Sequence, residues 1–280
     1  MLLKKFSVEF FPPKTIEGIN NLRFTMNKLS KLNPTFFSVT HGTCNNTQYG
    51  TFNTVLEIFK NGYNVVPHIS CIGNTKNTLK SIIYQYKSMG IKDIVVLRGD
   101  IIKKYKEKKN LNNFNYAEEL IKFIKFNTGN WFNIKVAAYP EKHFETNSFF
   151  KDIYYFIKKV RLGVNSAITQ YFYNIDAYFN FVDNIQKLGI YIPIIPGIMP
   201  IISYSQLKRF SNICGSEIPK WIHLKLLDYK NDINSIKSFG IDLITEMCQK
   251  LLENGVSKLH FYTLNNPYAT IKICKNLNFY

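Results

Sequence analysis

The sequence predicts an α/β fold, a closed (β/α)8 barrel of the TIM type. Short apolar runs of strand length alternate with stretches of helical spacing through all 280 residues. Such regular alternation implies a parallel sheet, and eight βα units in this length suit a closed barrel. No linker or shift in composition divides the chain, so residues 1–280 read as one domain. An open, doubly wound sheet is the alternative, but no GxGxxG turn follows the first strand run.

The first run, Phe6–Phe11, is apolar except for Ser7 and Glu9, and Pro12-Pro13 stops it. A carboxylate between Val8 and Phe10 has two readings. It is an edge residue facing water, or it is a general acid at the mouth of a site, with apolar neighbours that disfavour its charge. Further strand runs are Thr35–Val39, Asn64–Ser70, Asp93–Leu97, Asn133–Ala137, Ser166–Thr169, Ile192–Ile195 and Lys258–Tyr262. Helical spacing separates them, as in Leu22, Met26 and Leu29, or Phe179, Val182, Ile185 and Leu188. Gly62, Gly90, Gly163, Gly189 and Gly255 each close a helical stretch before the next strand. The polar stretch Ile101–Asn115 reads as a loop, and Asp228–Gly240 reads as an insertion before the last long helix.

Composition narrows the classes of function. The formal charge of +17 admits nucleic acid or anionic ligands as partners. The lysines are dispersed, however, and no RNP-type or zinc-finger pattern occurs, so A/T-rich coding explains the charge better and no nucleic-acid partner is expected. No apolar run is long enough for a membrane span, and the amino terminus lacks a signal-peptide layout. Cys44, Cys71, Cys214, Cys248 and Cys274 are scattered, odd in number and never in a CxxC pair. They read as reduced thiols in a cytoplasmic protein, without a disulfide framework or metal site.

In a barrel the chemistry sits at the carboxyl ends of the strands. The residues there are Glu9, then Thr40-His41, His68, Arg98-Gly99-Asp100, Tyr139-Pro140-Glu141, Gln170, Pro196-Gly197 and His260-Phe261-Tyr262. Each alone has an ordinary structural explanation. His68 can be a hydrogen-bonded core histidine, Gln170 a strand-end cap, and Arg98-Gly99-Asp100 a surface turn. Together they supply carboxylates, an arginine, hydroxyls, imidazoles and an amide at one mouth. Neither HExxH, nor a Walker loop, nor a hydrolase triad is present.

This set, in order and over nearly the whole chain, resembles the 5,10-methylenetetrahydrofolate reductase family in its short bacterial form. The resemblance implies an enzyme that binds FAD across the barrel mouth. Reduced nicotinamide (NADH or NADPH) gives hydride to the flavin, and methylenetetrahydrofolate then takes its place and leaves as 5-methyltetrahydrofolate, in a ping-pong cycle that supplies methionine. It also implies a homo-oligomer with no membrane partner. Another FAD-binding barrel enzyme, such as a proline dehydrogenase-like protein, is the alternative.

Carried over by position, Glu9 matches the general acid and Asp100 the carboxylate near flavin and pterin. Thr40, His41, Thr43, His68, Arg98, Gly99, Tyr116, Ala117, Tyr139, His143, Asp152, Lys158 and Lys159, with Asp100, match the FAD site. Gln170, Gln206, Phe210, Tyr262 and Asn266 match the substrate side. Asn266 stands where bacterial members carry an Arg for the folate glutamate, His41 where a Tyr is common, and Lys158 where an Arg is common.

Overall fold

The apolar runs pair side by side, all in parallel. A computed structural model describes residues 4–41, 45–99, 114–230 and 232–279, and of residues 45–49 the backbone alone. Strands and helices alternate: β1 (Lys5–Phe10), α1 (Ile16–Leu29), β2 (Phe37–Val39), α2 (Asn45–Lys60), β3 (Val65–Ser70), α3 (Lys76–Ser88) and β4 (Asp93–Leu97). Then come α4 (Ala117–Thr128), β5 (Asn133–Ala138), α5 (Phe149–Val160), β6 (Ser166–Thr169), α6 (Ile175–Lys187), β7 (Ile194–Ile195) and β8 (Gly197–Ile198). The chain continues with α7 (Tyr204–Cys214), α8 (Lys220–Asp228), α9 (Ile233–Glu253), β9 (Lys258–Tyr262) and α10 (Tyr268–Asn276).

The sheet order is β7-β6-β5-β4-β3-β2-β1-β9-β8. Its two ends, β7 and β8, belong to one run divided at Pro196, so the nine strands form an eight-staved barrel. Proline lacks the N–H that a ladder needs. Its carbonyl still accepts from the His260 amide at 3.0 Å, which carries the pairing past the break.

Alternation along each strand divides the core. Phe6, Val8 and Phe10 of β1 face the helices and join the large outer cluster. Ser7 and Glu9, offset by one residue, lie on the other face, as the contacts of Ser7 and Glu9 with His260 show. A smaller cluster of Val66, Val95, Ile168 and Ile195 fills the barrel interior. Toward the amino-terminal ends of the strands, Lys135 Nζ pairs with Asp93 at 2.7 Å, which keeps a largely buried ammonium from being left unpartnered.

Helix limits follow local chemistry. The hydroxyls of Thr15 and Thr75 accept from the amides of Gly18 and Thr78 at the starts of α1 and α3. Gly90, at φ +79°, closes the α3 turn in the left-handed region. The expected insertion Asp228–Gly240 is corrected. Asp232 caps α9 by accepting from the Asn234 and Ser235 amides at 3.0 and 3.2 Å, so residues from Ile233 onward are helix. Gly240 is there for close approach and not for a turn. Except for Phe114 and Asn115, the Ile101–Asn115 stretch lies outside the described residues.

A Cβ on Gly240 would lie 2.1 Å from the Ile201 carbonyl oxygen. Gly240→Ala gains up to about 1 kcal/mol of helix propensity. Overpacking against a backbone atom costs about 1–3 kcal/mol. The clash should win, so urea unfolding of Gly240→Ala should show a net loss of about 1–2 kcal/mol. An equal or higher midpoint would show that α9 can move away from Ile201 at little cost.

Candidate active site

A cavity of about 670 Å³ opens at the carboxyl ends of the strands. That volume is in the usual range for small-molecule sites. Glu9, Thr40, His41, His68, Gly99, Tyr139, His143, Gln170, Gln206, Phe210 and Tyr262 all line it. The barrel has therefore brought together residues that lie as far as 253 positions apart.

Glu9 sits low in this mouth, with its side chain 16% exposed. Its Oε2 is 3.4 Å from His68 Nε2 and 3.5 Å from His260 Nε2. Burial depresses the His68 pKa to about 4, with His260 and His41 adding to the effect and Glu9 opposing it. At neutral pH His68 is therefore uncharged, and its Nε2 carries no hydrogen bond among the described residues. His260, fully buried, places Nδ1 2.7 Å from Ser7 Oγ. A carboxylate can only accept. With Glu9 ionised, a proton on His260 Nε2 suits the carboxylate, and Nδ1 then accepts from the Ser7 hydroxyl.

Other polar groups hold the walls in place. Tyr262 Oη donates to the Thr169 carbonyl at 2.7 Å, crossing above Gly197. A Cβ there would lie 2.2 Å from that carbonyl oxygen and 2.6 Å from the Tyr262 ring. Gln170 Oε1 accepts from the Tyr171 amide. The rings of Tyr139 and His143 meet edge to face at 4.7 Å.

Some expected residues stand behind the walls or away from them. Lys159 donates to the Ala137 carbonyl at 2.8 Å, and burial lowers its pKa to about 8 despite Asp152. Asp152 accepts from the His143 amide at 2.9 Å. Arg98 pairs with Glu145, and Lys158 lies over the Tyr154 ring. Tyr116 and Ala117 begin α4, where Glu119 accepts from the Tyr116 amide. Asn266 is outside the main cavity, and its Oδ1 accepts from the Tyr268 amide at the start of α10. Thr43 and Asp100 lie outside the described residues. Among those described, no cluster of His, Cys, Asp or Glu could hold a metal ion.

The structure adds residues the sequence reading did not single out. Ser7 is one, two positions before Glu9 and so on the same face of β1. Arg209 and Ile213 are others, sharing a helical face with Gln206 and Phe210 on α7 and lining the cavity with them. Both spacings were available as signals.

A family model described as methylenetetrahydrofolate reductase matches residues 3–278. The chain belongs to this family. It is 42% identical over 269 residues to the 5,10-methylenetetrahydrofolate reductase of Buchnera aphidicola subsp. Acyrthosiphon pisum (strain APS), across 96% of this chain and 90% of that one. To the Escherichia coli (strain K12) protein of the same name it is 35% identical over 273 residues, across 97% and 90%. A solved structure from Clostridium thermocellum, described as binding two copies of 5-methyl-5,6,7,8-tetrahydrofolic acid, shares the fold. Its TM-score is 0.65 at 15% identity, over 98% of this chain and 94% of that one. Membership of the methylenetetrahydrofolate reductase family makes this chain an oxidoreductase of folate metabolism.

His68 gives the reductase barrel an acid sensitivity. Its pKa is about 4 folded against an ordinary 6.5, so between these values the unfolded chain holds a proton that the folded chain refuses. Stability is then lost as pH falls through this window, by up to about 1.4 kcal/mol per pH unit for this group. Urea unfolding from pH 7 to 4 should show the slope, and His68→Gln should make it shallower by one proton. Parallel slopes for the two proteins would mean that His68 ionises freely in the fold.

Proposed function

We propose that this chain is a flavin-dependent 5,10-methylenetetrahydrofolate reductase that uses NADH or NADPH in a ping-pong cycle and yields 5-methyltetrahydrofolate for methionine synthesis. Residues 1–280 act as one catalytic domain, cytoplasmic and homo-oligomeric, without a nucleic-acid or membrane partner. The observation that carries the reading is the place of Glu9, the one carboxylate among the described residues that line a largely apolar mouth, beside imidazoles that can pass or hold a proton.

The residues fit FAD. The cavity is large, with aromatic and aliphatic walls. One buried group would gain from a polar ligand: His68 Nε2, which lacks a hydrogen bond among the described residues. Thr40, His41, His68, Gly99, Tyr139 and His143 would hold the cofactor from the wall, with Thr43, Arg98, Asp100, Tyr116, Ala117, Asp152, Lys158 and Lys159 around it. When bound, FAD supplies the two-electron chemistry that accepts and returns a hydride.

The chain's own groups handle binding and the proton. Gln170, Gln206, Phe210 and Tyr262 would hold nicotinamide and folate in turn in the same space. Glu9 would donate a proton to the folate nitrogen that leaves the methylene bridge. His260, backed by Ser7, would steady the carboxylate that results. Asp100 would stabilise the positive charge left on the methylene carbon's iminium. Asn266 offers no cation to the folate glutamate, so that tail would be held loosely here.

Two measurements test this. The purified protein, titrated with FAD, should show a bound-flavin absorption spectrum, and a protein that never takes up FAD would overturn the proposal. In stopped-flow absorbance, Glu9→Gln should still bleach its flavin with reduced nicotinamide. Transfer of those electrons to methylenetetrahydrofolate should slow by ~10²-fold or more. Equal slowing of both halves would make Glu9 a residue that holds the site together, and no slowing would remove it from the chemistry.

A further inference from the structure

Asn74 lies in the turn after β3, 2% exposed, and no ligand role has been assigned to it. Its side-chain nitrogen makes two contacts: 2.9 Å to the Ser70 carbonyl oxygen and 3.0 Å to His41 Nε2. A carbonyl oxygen can only accept, so the first contact fixes which end of the amide is nitrogen. That nitrogen has only N–H bonds to offer, so His41 Nε2 must accept. A proton on Nε2 would set two donors head to head.

From this geometry we propose that Asn74 is a positioning residue that holds His41 as an uncharged imidazole with its proton on Nδ1. One wall of the cavity is then a polar, uncharged surface, with the Nδ1–H left to meet the His68 backbone. The proposal rests on the flavin reading of the mouth for its functional meaning, but the tautomer itself does not depend on that reading.

The surroundings act in the same direction. Burial lowers the His41 pKa, and a contact with the His68 backbone only partly restores it. The described titratable group electrostatically coupled to His41 is His68 on β3, which is coupled in turn to Glu9 on β1 and His260 on β9. Since His68 is also uncharged at neutral pH, a proton on His41 would put a cation into the lining of the cavity that Glu9 shares. It would favour the ionised form of the general acid and so weaken it as a proton donor. Asn74 prevents this with one N–H.

The test uses full-length protein labelled with 15N at histidine. In flavin-free wild type at pH 7, the His41 Nε2 resonance should have the shift of an unprotonated acceptor. Asn74→Asp replaces the donor with an acceptor, so His41 should gain a proton at Nε2 and titrate at least one pH unit higher, a tenfold gain in proton affinity. Asn74→Ala, the milder change, should raise the midpoint by less. FAD dissociation constants from pH 6 to 8 should gain an extra ionisation in Asn74→Asp that disappears when His41→Phe is added. A protonated Nε2 in wild type, or a His41 midpoint unmoved in both folded Asn74 variants, would overturn the proposal. So would an extra ionisation that persists without His41. If wild type failed to bind FAD while the tautomer was as stated, the flavin reading would fall and the positioning role would stand.

Discussion

Closure of the sheet is the constraint on which the mouth depends. β1 pairs with β9 in the register Ser7↔His260 and Glu9↔Tyr262, and with β2 in the register Glu9↔Ser38. Side chains alternate between faces, so a shift of one residue would turn Phe10 inward and Glu9 toward the helices. The outer cluster resists that shift, because Phe6, Val8 and Phe10 are almost wholly buried against the helical layer. Apolar packing on one face of a strand thus determines where a carboxylate sits on the other.

The mouth joins this hydrophobic frame to unusual electrostatics. Most charge on the chain is positive, yet beside Glu9 the buried His68 is an uncharged imidazole at neutral pH. Lys159, half-buried, stands behind the wall and is held by the Ala137 carbonyl, with Asp152 favouring its charge. Desolvation depresses both the imidazole and the ammonium, since each is charged only when protonated. In the proposed flavin site, the cofactor would meet polarity without free charge on one side and a partly compensated cation on the other.

Much of this was legible in the sequence. Strand runs were clear because β-branched and aromatic residues cluster between turn residues, and the helix-closing glycines marked the connections. Strand ends led to most of the cavity wall, since in a parallel barrel the carboxyl ends share one rim. Four things were not legible. The break at Pro196 looked like a strand end, because pairing through a proline carbonyl leaves no local pattern. The start of α9 was hidden by Asp232 and Gly240, which suggest a loop but act as a cap and a close-packing site. Asn266 was read from its position in a motif, whereas its side chain is engaged by the α10 backbone. Asn74 gave no signal, because its partners lie on two other segments and only the folded turn brings them together.

Asn265 lies in the turn after β9, with φ at +55°. Its amide bonds both the amide and the carbonyl of Phe11, as a neighbouring strand would, and its carbonyl accepts from Asn21 and Thr25. A residue 254 positions further on therefore completes the hydrogen bonding just past β1. During synthesis, β1 must wait with one edge unpaired until β9 and this turn leave the ribosome. Some 253 positions separate Glu9 from its neighbour Tyr262 on β9, so the edge of β1 waits for all of them. For most of that time Glu9 has no pocket, and the barrel is an open sheet whose exposed edges depend on speed or on chaperones for protection.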